Sequence, residues 1–386
     1  MRISLALSVV CAVILSACSG GMDKDSSTAS LTAPSETPSL DRSSQSVGEV
    51  FTMSNAAAGN SVLVFARAAD GSLRAAGTYA TGGAGTGGGL GNQGGLALDE
   101  SGTTLVVVNA GSNEISAFRV DEGGGLELTD KISSGGTMPI SVTISRDIVY
   151  VLDAGGAGNI AGFRLDRGKL SPIAGSSRPL SASGVGPAEI AFDPSGTLLV
   201  VTEKNTNRLS TYSVNGGVAR GPTVTPASGV TPFGFAFSHG GALIVSEAFG
   251  GAPDGSAVTS YAANGGGTWR VISGSVPTTE TSACWIVVTE NGRFTYTTNA
   301  ASGTITGFAV LDGSLTRLDA DGVTASIGGG SSPTEMALSR NSQFLYALAG
   351  GLHRIVAYSV SSDGSLTPIA GGAAGLPSAA NGVVAR

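Results

Sequence analysis

Short apolar segments recur along the chain at a nearly constant interval. Their first apolar anchors are separated by 46, 48, 45, 51 and 50 residues, and they are Leu96, Val142, Ile190, Phe235, Ile286 and Met336. Most of these segments are followed by a polar turn and then by a second β-prone run, such as residues 105–108 or 198–202. A period of this length with regular turn signals indicates repetition of one supersecondary unit.

Each repeat carries signals for four strands. A third β-prone run ends in an aromatic residue, and a Gly-rich turn with a fourth run closes the unit; the aromatic residues are Phe118, Phe163, Tyr212, Tyr261, Phe308 and Tyr358. Four short strands at this spacing are typical of a propeller blade.

The two ends of the chain complete one more unit. Residues 49–79 supply three strands without an innermost one, and residues 381–385 supply a single strand, with Val383 lying 47 residues after Met336. We therefore expect an all-β fold over residues 49–386, a seven-bladed β-propeller of four-stranded antiparallel blades. The N- and C-terminal strands are expected to share one blade, which leaves no open pair of sheet edges.

Composition narrows the class of protein. The 60 glycines among 386 residues disfavour an all-helical fold, whereas 41% hydrophobic residues are enough for a real core. Lys and Arg number 21 against 28 Asp and Glu, a net charge of −7. This balance argues against a surface that neutralises nucleic-acid phosphates, and we expect a monomer with no nucleic-acid partner.

The N-terminus predicts export and a lipid anchor. Residues 1–18 contain one cation, Arg2, an apolar run over residues 3–15, and Leu-Ser-Ala-Cys at residues 15–18. This pattern resembles a bacterial lipoprotein signal peptide, in which Cys18 is acylated; the alternative is an ordinary signal with an incidental Cys. Residues 19–48, rich in Ser, Thr and Pro, are expected to form a disordered tether. We expect a protein of the cell envelope, periplasmic or on the outer membrane in a Gram-negative host, attached only by lipid.

Two recurring motifs resemble those of a known family. Residues 186–202 and 332–348 share a Pro followed by an apolar-Ala-aromatic or -Leu run and a Ser-Gly or Asn-Ser turn, and Asp-Gly-Ser-Leu occurs at residues 70–73, 312–315 and 363–366. Together they resemble the bacterial lactonase-family seven-bladed propellers, which include 6-phosphogluconolactonase-like and carboxymuconate-cyclase-like proteins. The resemblance spans residues 49–386 and implies hydrolysis of a lactone.

The repeat also predicts where a site would form. Ends of second strands and starts of first strands meet at one mouth of a propeller channel. The polar second-strand ends include Asn109, Asp153, Glu203, Glu247 and Asn299, and the first-strand starts include Gln93, Glu189, Trp285 and Glu335. We predict that Glu203 and Glu189 activate water and that the others bind substrate, because carboxylates between low-dielectric walls acquire raised pKa values.

Other interpretations of these residues stay open. Asn and Asp also end strands through local hydrogen bonds to the backbone. Asp153, Glu203 and Glu247 are the ligands we would assign to a divalent cation, Ca²⁺ or Mg²⁺, although no contiguous metal-binding motif is present. Trp285 is either a wall for a ligand or a channel plug. The Gly-rich residues 82–95 lack the Lys-Ser/Thr of a phosphate loop, and a flexible loop between blades is expected there.

Two functions follow from these predictions. The first is hydrolysis of an unphosphorylated lactone, because the expected mouth has no His and only Lys204 and Arg386 as cations, too few to recognise a phosphate. The second is a non-catalytic propeller that binds a glycan, a peptide or an envelope protein. Family resemblance favours the first function, and the missing His and Arg residues favour the second.

Overall fold

The computed structural model describes residues 46–386, which form seven β-sheets arranged as the blades of a propeller. Blade 1 comprises β1 (Gly48–Met53), β2 (Ser61–Arg67), β3 (Leu73–Ala80) and the C-terminal strand β30 (Asn381–Ala385). Blade 2 comprises β4 (Leu96–Leu98), β5 (Thr104–Asn109), β6 (Glu114–Val120) and β7 (Leu126–Ser133). Blade 3 comprises β8 (Pro139–Ser145), β9 (Ile148–Asp153), β10 (Asn159–Asp166), β11 (Lys169–Pro172) and β12 (Arg178–Pro179).

The remaining blades follow in chain order. Blade 4 comprises β13 (Pro187–Phe192), β14 (Leu198–Glu203), β15 (Arg208–Asn215) and β16 (Val218–Pro226). Blade 5 comprises β17 (Pro232–Phe237), β18 (Leu243–Glu247), β19 (Ala257–Ala263) and β20 (Trp269–Pro277). Blade 6 comprises β21 (Ala283–Val288), β22 (Phe294–Asn299), β23 (Thr304–Leu311), β24 (Ser314–Arg317) and β25 (Ala325–Ser326). Blade 7 comprises β26 (Pro333–Leu338), β27 (Phe344–Ala349), β28 (Arg354–Val360) and β29 (Leu366–Ala374).

This architecture confirms the predicted fold. Every blade is an antiparallel sheet, and apart from the pairing of β30 with β1 in blade 1 its main path joins consecutive strands. In blades 3 and 6 the outermost strand is split into two short segments that pair with the same third strand. The described residues contain only two short 3₁₀ turns as helical elements, Phe249–Gly251 and Gly350–Leu352. None of the helices in residues 46–386 has the length and apolarity that a membrane crossing would need.

The ring is closed by the two ends of the chain. β30 pairs with β1, with Val50 opposite Ala385 and Thr52 opposite Val383. Arg386 at the end of this strand pairs through its Nε with the Glu49 carboxylate at 2.5 Å. The predicted shared blade is therefore present.

The core lies between the blades. The second strands are almost wholly buried, as in Leu105–Val108 of blade 2, because each is covered by the neighbouring blade on both faces. Strands buried on both faces are near-continuous apolar runs, and this is why residues 105–108 and 198–202 stand out in the sequence.

The ring has two faces. The first-strand starts and second-strand ends lie at the connector face, where the chain arrives from the outer strand of the preceding blade. The turns between first and second strands, such as residues 99–103 and 193–197, lie at the opposite turn face. The predicted signal peptide, the acylation of Cys18 and most of the tether fall on residues 1–45, outside the described residues.

Candidate functional site

The centre of the ring is filled by a segment of the chain itself, residues 90–94, which we call the channel segment. It lies between β3 and β4. Its residues bond to five different blades, a pattern that only a position on the ring axis allows. A flexible loop between blades was expected over residues 82–95; the connection contains no strand, and hydrogen bonds to other blades hold residues 90–94 at the centre. Gly91 and Gly94 adopt φ values of 60° and 79°, which glycine reaches without steric cost.

The channel segment is bonded through both its backbone and its side chains. Lys204 Nζ donates to the Gly91 carbonyl at 2.5 Å, and Trp285 Nε1 donates to the Asn92 carbonyl at 2.6 Å. The Asn92 side chain bonds to the Ile140 carbonyl and accepts from Asn381 Nδ2 at 3.0 Å. Trp285 is 1% exposed and packs inside a filled channel, which corresponds to the channel plug of the two alternatives and not to an open wall for a ligand.

Gln93 completes the backbone bonding of blade 6. Its Nε2 donates to the Ile286 carbonyl and its Oε1 accepts from the Ile286 N–H, both at 2.9 Å. β21 is the innermost strand of that blade, so its edge toward the axis has no neighbouring strand, and Gln93 bonds to Ile286 at this edge. Gln93 therefore has a structural partner in place of the predicted substrate.

Polar side chains near the start of other first strands also bond to backbone N–H groups near the axis. The Ile190 N–H donates to Ser141 Oγ at 3.2 Å, and the Phe235 N–H donates to Glu189 Oε2 at 2.6 Å. Glu335 Oε2 accepts from the Gly94 N–H at 3.3 Å. Each of these bonds satisfies a backbone amide on a neighbouring element, as buried amides require.

Two of the predicted site residues, Glu189 and Glu335, are thus brought together on the axis. They are 6% and 3% exposed. Burial raises the pKa of Glu189 well above its usual range, and burial together with the Glu189 charge does the same for the pKa of Glu335. Burial of two carboxyls in one desolvated space therefore favours the protonated form of each.

The second-strand ends do not face the axis. Asn109, Asp153, Glu203, Glu247 and Asn299 are all fully buried. Glu203 accepts from the Ser181 N–H at 3.0 Å, from the Ser181 hydroxyl, from Thr206 Oγ1 at 3.0 Å and from Ser210 Oγ at 2.8 Å. Ser181 belongs to the connector from blade 3 to blade 4. The expected convergence of these five residues at a mouth is therefore wrong.

The same arrangement repeats around the ring, and we call it the connector clamp. Glu247 accepts from the Gly229 N–H, Thr259 Oγ1 and Ser275 Oγ at 2.7–2.8 Å. Asp153 accepts from Ser134 Oγ at 2.6 Å and from Asn159 Nδ2 at 3.4 Å; Asn109 accepts from Thr81 Oγ1 at 2.7 Å; Asn299 donates to Thr304 and Thr306 of its own blade. In four blades the clamp holds the incoming connector, which needs acceptors because it is irregular backbone.

Burial governs the charge of these clamps. It raises the pKa of Asp153 to about 7, and it raises the pKa of Glu247 despite three hydrogen bonds that oppose the shift. The three carboxylates expected to share a cation lie in three separate clamps. Within residues 46–386 no group of three His, Cys, Asp or Glu residues is placed to hold a metal ion.

The cations expected near one mouth lie on opposite faces. Arg386 is at the turn face, where its Nη1 donates to the Gly102 carbonyl at 2.7 Å. Lys204 is at the connector face, directly after the buried Glu203. Its Nζ also sits 4.8 Å from the centre of the Phe233 ring, and burial lowers its pKa to about 8.

Lys204 borders a pocket between blades 3 and 4. The cavity has a volume of about 240 Å³, and the channel segment forms one wall through Leu90. The other walls are Met138, Ile140, Ala154, Ala157, Gly158, Leu180, Gly184, Val185, Gly186, Pro187 and Asn205. An ammonium group at the edge of an apolar cavity on the connector face suits a small ligand with a carbonyl or carboxylate.

The apolar walls of this pocket were not predicted. Met138 and Pro187 lie at the starts of first strands, where the predicted site residues were mainly polar. The available signal was the contrast between blades, because Met138 directly precedes Pro139, whereas Thr231 and Ser332 directly precede the equivalent Pro232 and Pro333.

Comparisons with known proteins agree with this architecture. Residues 58–177 match the family model described as lactonase, 7-bladed beta-propeller. The chain has the fold and, over those residues, the sequence pattern of lactonase-family propellers. Among curated proteins none matches the chain significantly. The matched residues end before Glu189, Lys204 and Trp285, so the family match does not bear on these side chains.

Solved structures with the same fold include proteins described as gluconolactonases. The periplasmic gluconolactonase PpgL of Pseudomonas aeruginosa is 18% identical, with a TM-score of 0.66 over 86% of this chain and 98% of that one. Candidate 6-phosphogluconolactonases from Bacteroides uniformis and Bacteroides fragilis are 17% and 16% identical, with TM-scores of 0.68 and 0.67. They cover 86% and 91% of this chain and 99% of each of those chains. At these identities the likeness concerns the fold.

Proposed function

We propose that this protein is an exported, lipid-anchored lactonase that hydrolyses an unphosphorylated lactone in the pocket beside Lys204. The observation that carries the proposal is the Lys204 ammonium at the wall of an apolar pocket in a lactonase-family fold. Its Nζ has three hydrogens, of which one is donated to the Gly91 carbonyl, so the group retains donors for a ligand.

The proposed reaction needs a partner for developing negative charge. Water adds to the lactone carbonyl carbon, the carbonyl oxygen becomes an oxyanion, and the Lys204 ammonium donates a hydrogen bond to it. The ring C–O bond then breaks, the alkoxide takes the proton released from the added water through solvent, and a hydroxy acid results. An ammonium in a desolvated pocket stabilises the oxyanion more than it stabilises the neutral ground state.

The pH dependence tests this role directly. A pKa of about 8 means that the ammonium is present below pH 8 and lost above it. We expect the enzymatic rate, after subtraction of hydroxide-catalysed hydrolysis, to fall as the pH rises through about 8. Lys204→Met should lower kcat/KM at least 10-fold, whereas Lys204→Arg should keep partial activity and lose the decline near pH 8. A rate that instead rises through pH 8 would identify Lys204 as a base and contradict the proposed role.

The role predicted from the sequence for Glu203 is tested in the same assay. Because Glu203 is held by Ser181, Thr206 and Ser210, we expect Glu203→Gln to lower stability while kcat/KM of the folded fraction changes less than threefold. A loss of more than 10-fold with the melting temperature intact would support catalysis by Glu203. Activity measured with EDTA and with added Ca²⁺ or Mg²⁺ tests the predicted cation in parallel. Inactivity on all lactones with capture of an envelope glycan or protein would favour the binding function.

A further inference from the structure

We propose that the Lys204 pocket selects lactones that carry a short hydrocarbon substituent and rejects sugar lactones. This inference rests on the proposed function and adds the class of substrate. The side chains that line the pocket are hydrophobic, apart from Lys204 and Asn205. Ile140, Leu180 and Val185 are at most 4% exposed, so they form a fixed apolar wall.

The polar groups of the wall are already engaged. The Asn205 side-chain amide donates to the Gly184 carbonyl at 3.0 Å, and the Asn205 and Lys204 N–H groups donate to the Val185 and Gly186 carbonyls at 2.9 and 3.0 Å. On the other side, the Met138 carbonyl accepts from the Ala154 N–H at 3.0 Å, and the Ile140 carbonyl accepts from the Asn92 side chain. A ligand therefore meets few free acceptors or donors besides the Lys204 ammonium.

This wall distinguishes lactones by their substituents. A sugar lactone brings hydroxyl groups on most of its ring carbons, and each one buried here without a partner loses its hydrogen bonds to water. A hydrocarbon substituent gains from the same wall, by about fourfold in affinity for each methylene that is fully buried. A phosphate would need further cations, and Lys204 is the one cationic side chain among the residues that line this pocket.

The size of the cavity limits the length of the substituent. About 240 Å³ is below the roughly 300 Å³ at which pockets for drug-sized ligands begin. The space suits a single lactone ring with a short alkyl chain, and long acyl chains would extend past Ala157, which is exposed at the rim.

The test compares six-membered lactones that differ only in their substituents. We would measure kcat/KM of the purified protein for δ-valerolactone, δ-octalactone and D-glucono-1,5-lactone, each divided by its uncatalysed rate. We expect δ-octalactone to exceed δ-valerolactone at least 10-fold and glucono-1,5-lactone at least 100-fold. Activity greatest on glucono-1,5-lactone would overturn the substrate class and leave the lactonase proposal standing.

Two matched variants test whether the hydrocarbon substituent binds in this pocket. Ala157→Leu should narrow the pocket and reduce kcat/KM for δ-octalactone at least fivefold more than for δ-valerolactone. Ala252→Leu, an exposed alanine of blade 5 on the same connector face, should change neither ratio more than twofold. Equal effects of Ala157→Leu on both substrates would contradict binding of the substituent in this pocket.

A binding measurement separates the two proposals. Octanoate carries the carboxylate of a ring-opened product and a hydrocarbon chain, and its titration requires no catalysis. Binding that Lys204→Met weakens at least 10-fold would support the ligand class even if no lactone were hydrolysed, in which case only the lactonase proposal would fail. Binding of gluconate in preference to octanoate would overturn the inference.

Discussion

Gly234 is a residue whose missing side chain shapes the centre of the molecule. In other blades the equivalent position carries Ser141, Glu189 or Glu335, each of which accepts a hydrogen bond from a backbone N–H. Gly234 cannot do this for the Ile286 N–H of the next blade. Gln93 reaches across the channel to replace the missing acceptor, and the space that it enters exists because Gly234 has no Cβ.

This geometry predicts coupled effects on stability. A Cβ at Gly234 would lie 2.1 Å from Gln93 Oε1 and 2.6 Å from the Cys284 carbonyl. Gly234→Ala should therefore displace Gln93 and lower the free energy of unfolding by about 2–4 kcal/mol, and Gln93→Ala should cost about 1–3 kcal/mol for the orphaned Ile286 groups. Because both variants break one contact, the double variant should cost at least 1 kcal/mol less than their sum in urea unfolding. Strict additivity would contradict the proposed contact.

Asp153 predicts a pH effect with a defined sign. Its pKa rises from 3.8 to about 7 on folding, so the folded state binds more protons than the unfolded state between these values. Its contribution to stability is therefore complete below about pH 4 and falls as the pH rises to 7. Asp153→Asn should remove this fall, because Asn109 and Asn299 already occupy the same position in blades 2 and 6.

The measurement is the difference in unfolding free energy between Asp153→Asn and the unmodified protein at pH 4 and pH 7. We expect the variant to gain a few kcal/mol relative to the original protein over this interval, since one pKa unit corresponds to about 1.4 kcal/mol. The contributions of the other buried carboxyls are the same in both proteins and therefore cancel in this difference. A difference that stays constant with pH would show that Asp153 has an ordinary pKa in the fold.

The sequence located these side chains along the chain better than it located them in space. The 47-residue period placed Glu203 and Glu247 at second-strand ends, which the structure confirms. Their direction depends on the connector of the preceding blade, whose Ser181 and Gly229 need acceptors. Blades 2 and 6 have Asn at the same position, which indicates that this position requires hydrogen bonding and not a charge. The channel segment has no periodicity at all, and its path follows from partners on five blades.

Individual strands dock on neighbouring blades through tyrosine hydroxyl groups. Tyr150, Tyr296 and Tyr346 lie in the second strands of blades 3, 6 and 7, and each hydroxyl donates at 2.8–2.9 Å to a glycine carbonyl in the outer hairpin of the next blade. The acceptors are Gly217, Gly364 and Gly71. The Tyr150 hydroxyl also accepts from the Ala219 N–H at 2.8 Å.

Because the Tyr150 hydroxyl has one more hydrogen bond than the Tyr346 hydroxyl, we expect the Tyr→Phe substitution to have unequal effects at these two positions. Tyr346→Phe removes one hydrogen bond and should lower the free energy of unfolding by about 1 kcal/mol. Tyr150→Phe also leaves the Ala219 N–H without its acceptor and should cost about 2–3 kcal/mol. Urea unfolding of both variants checks the order, and equal losses would show that the second bond contributes nothing.

The whole ring depends on a single non-local pairing. β30 joins β1 across more than 300 residues, and it also contacts the channel segment through the bond from Asn381 to Asn92. Val383 is 5% exposed, and Arg386 links Glu49 of blade 1 to the Gly102 carbonyl of blade 2. Without β30 the strand β1 would have an unpaired edge toward the channel, and blades 7 and 1 would lose the packing between them.

Removal of residues 379–386 tests how far stability depends on this closure. The loss of a paired strand, of the Val383 side chain from the core and of the contact with the channel segment should abolish a cooperative thermal transition or lower its midpoint by more than about 10 °C. Deletion of Arg386 alone keeps β30 and removes only its terminal contacts, so its midpoint should fall by no more than a few degrees. A terminus that frays freely would tolerate both deletions equally. Because Asn381 supports the channel segment that carries the Gly91 carbonyl, the truncated protein should also lose binding of octanoate at Lys204 before it unfolds completely.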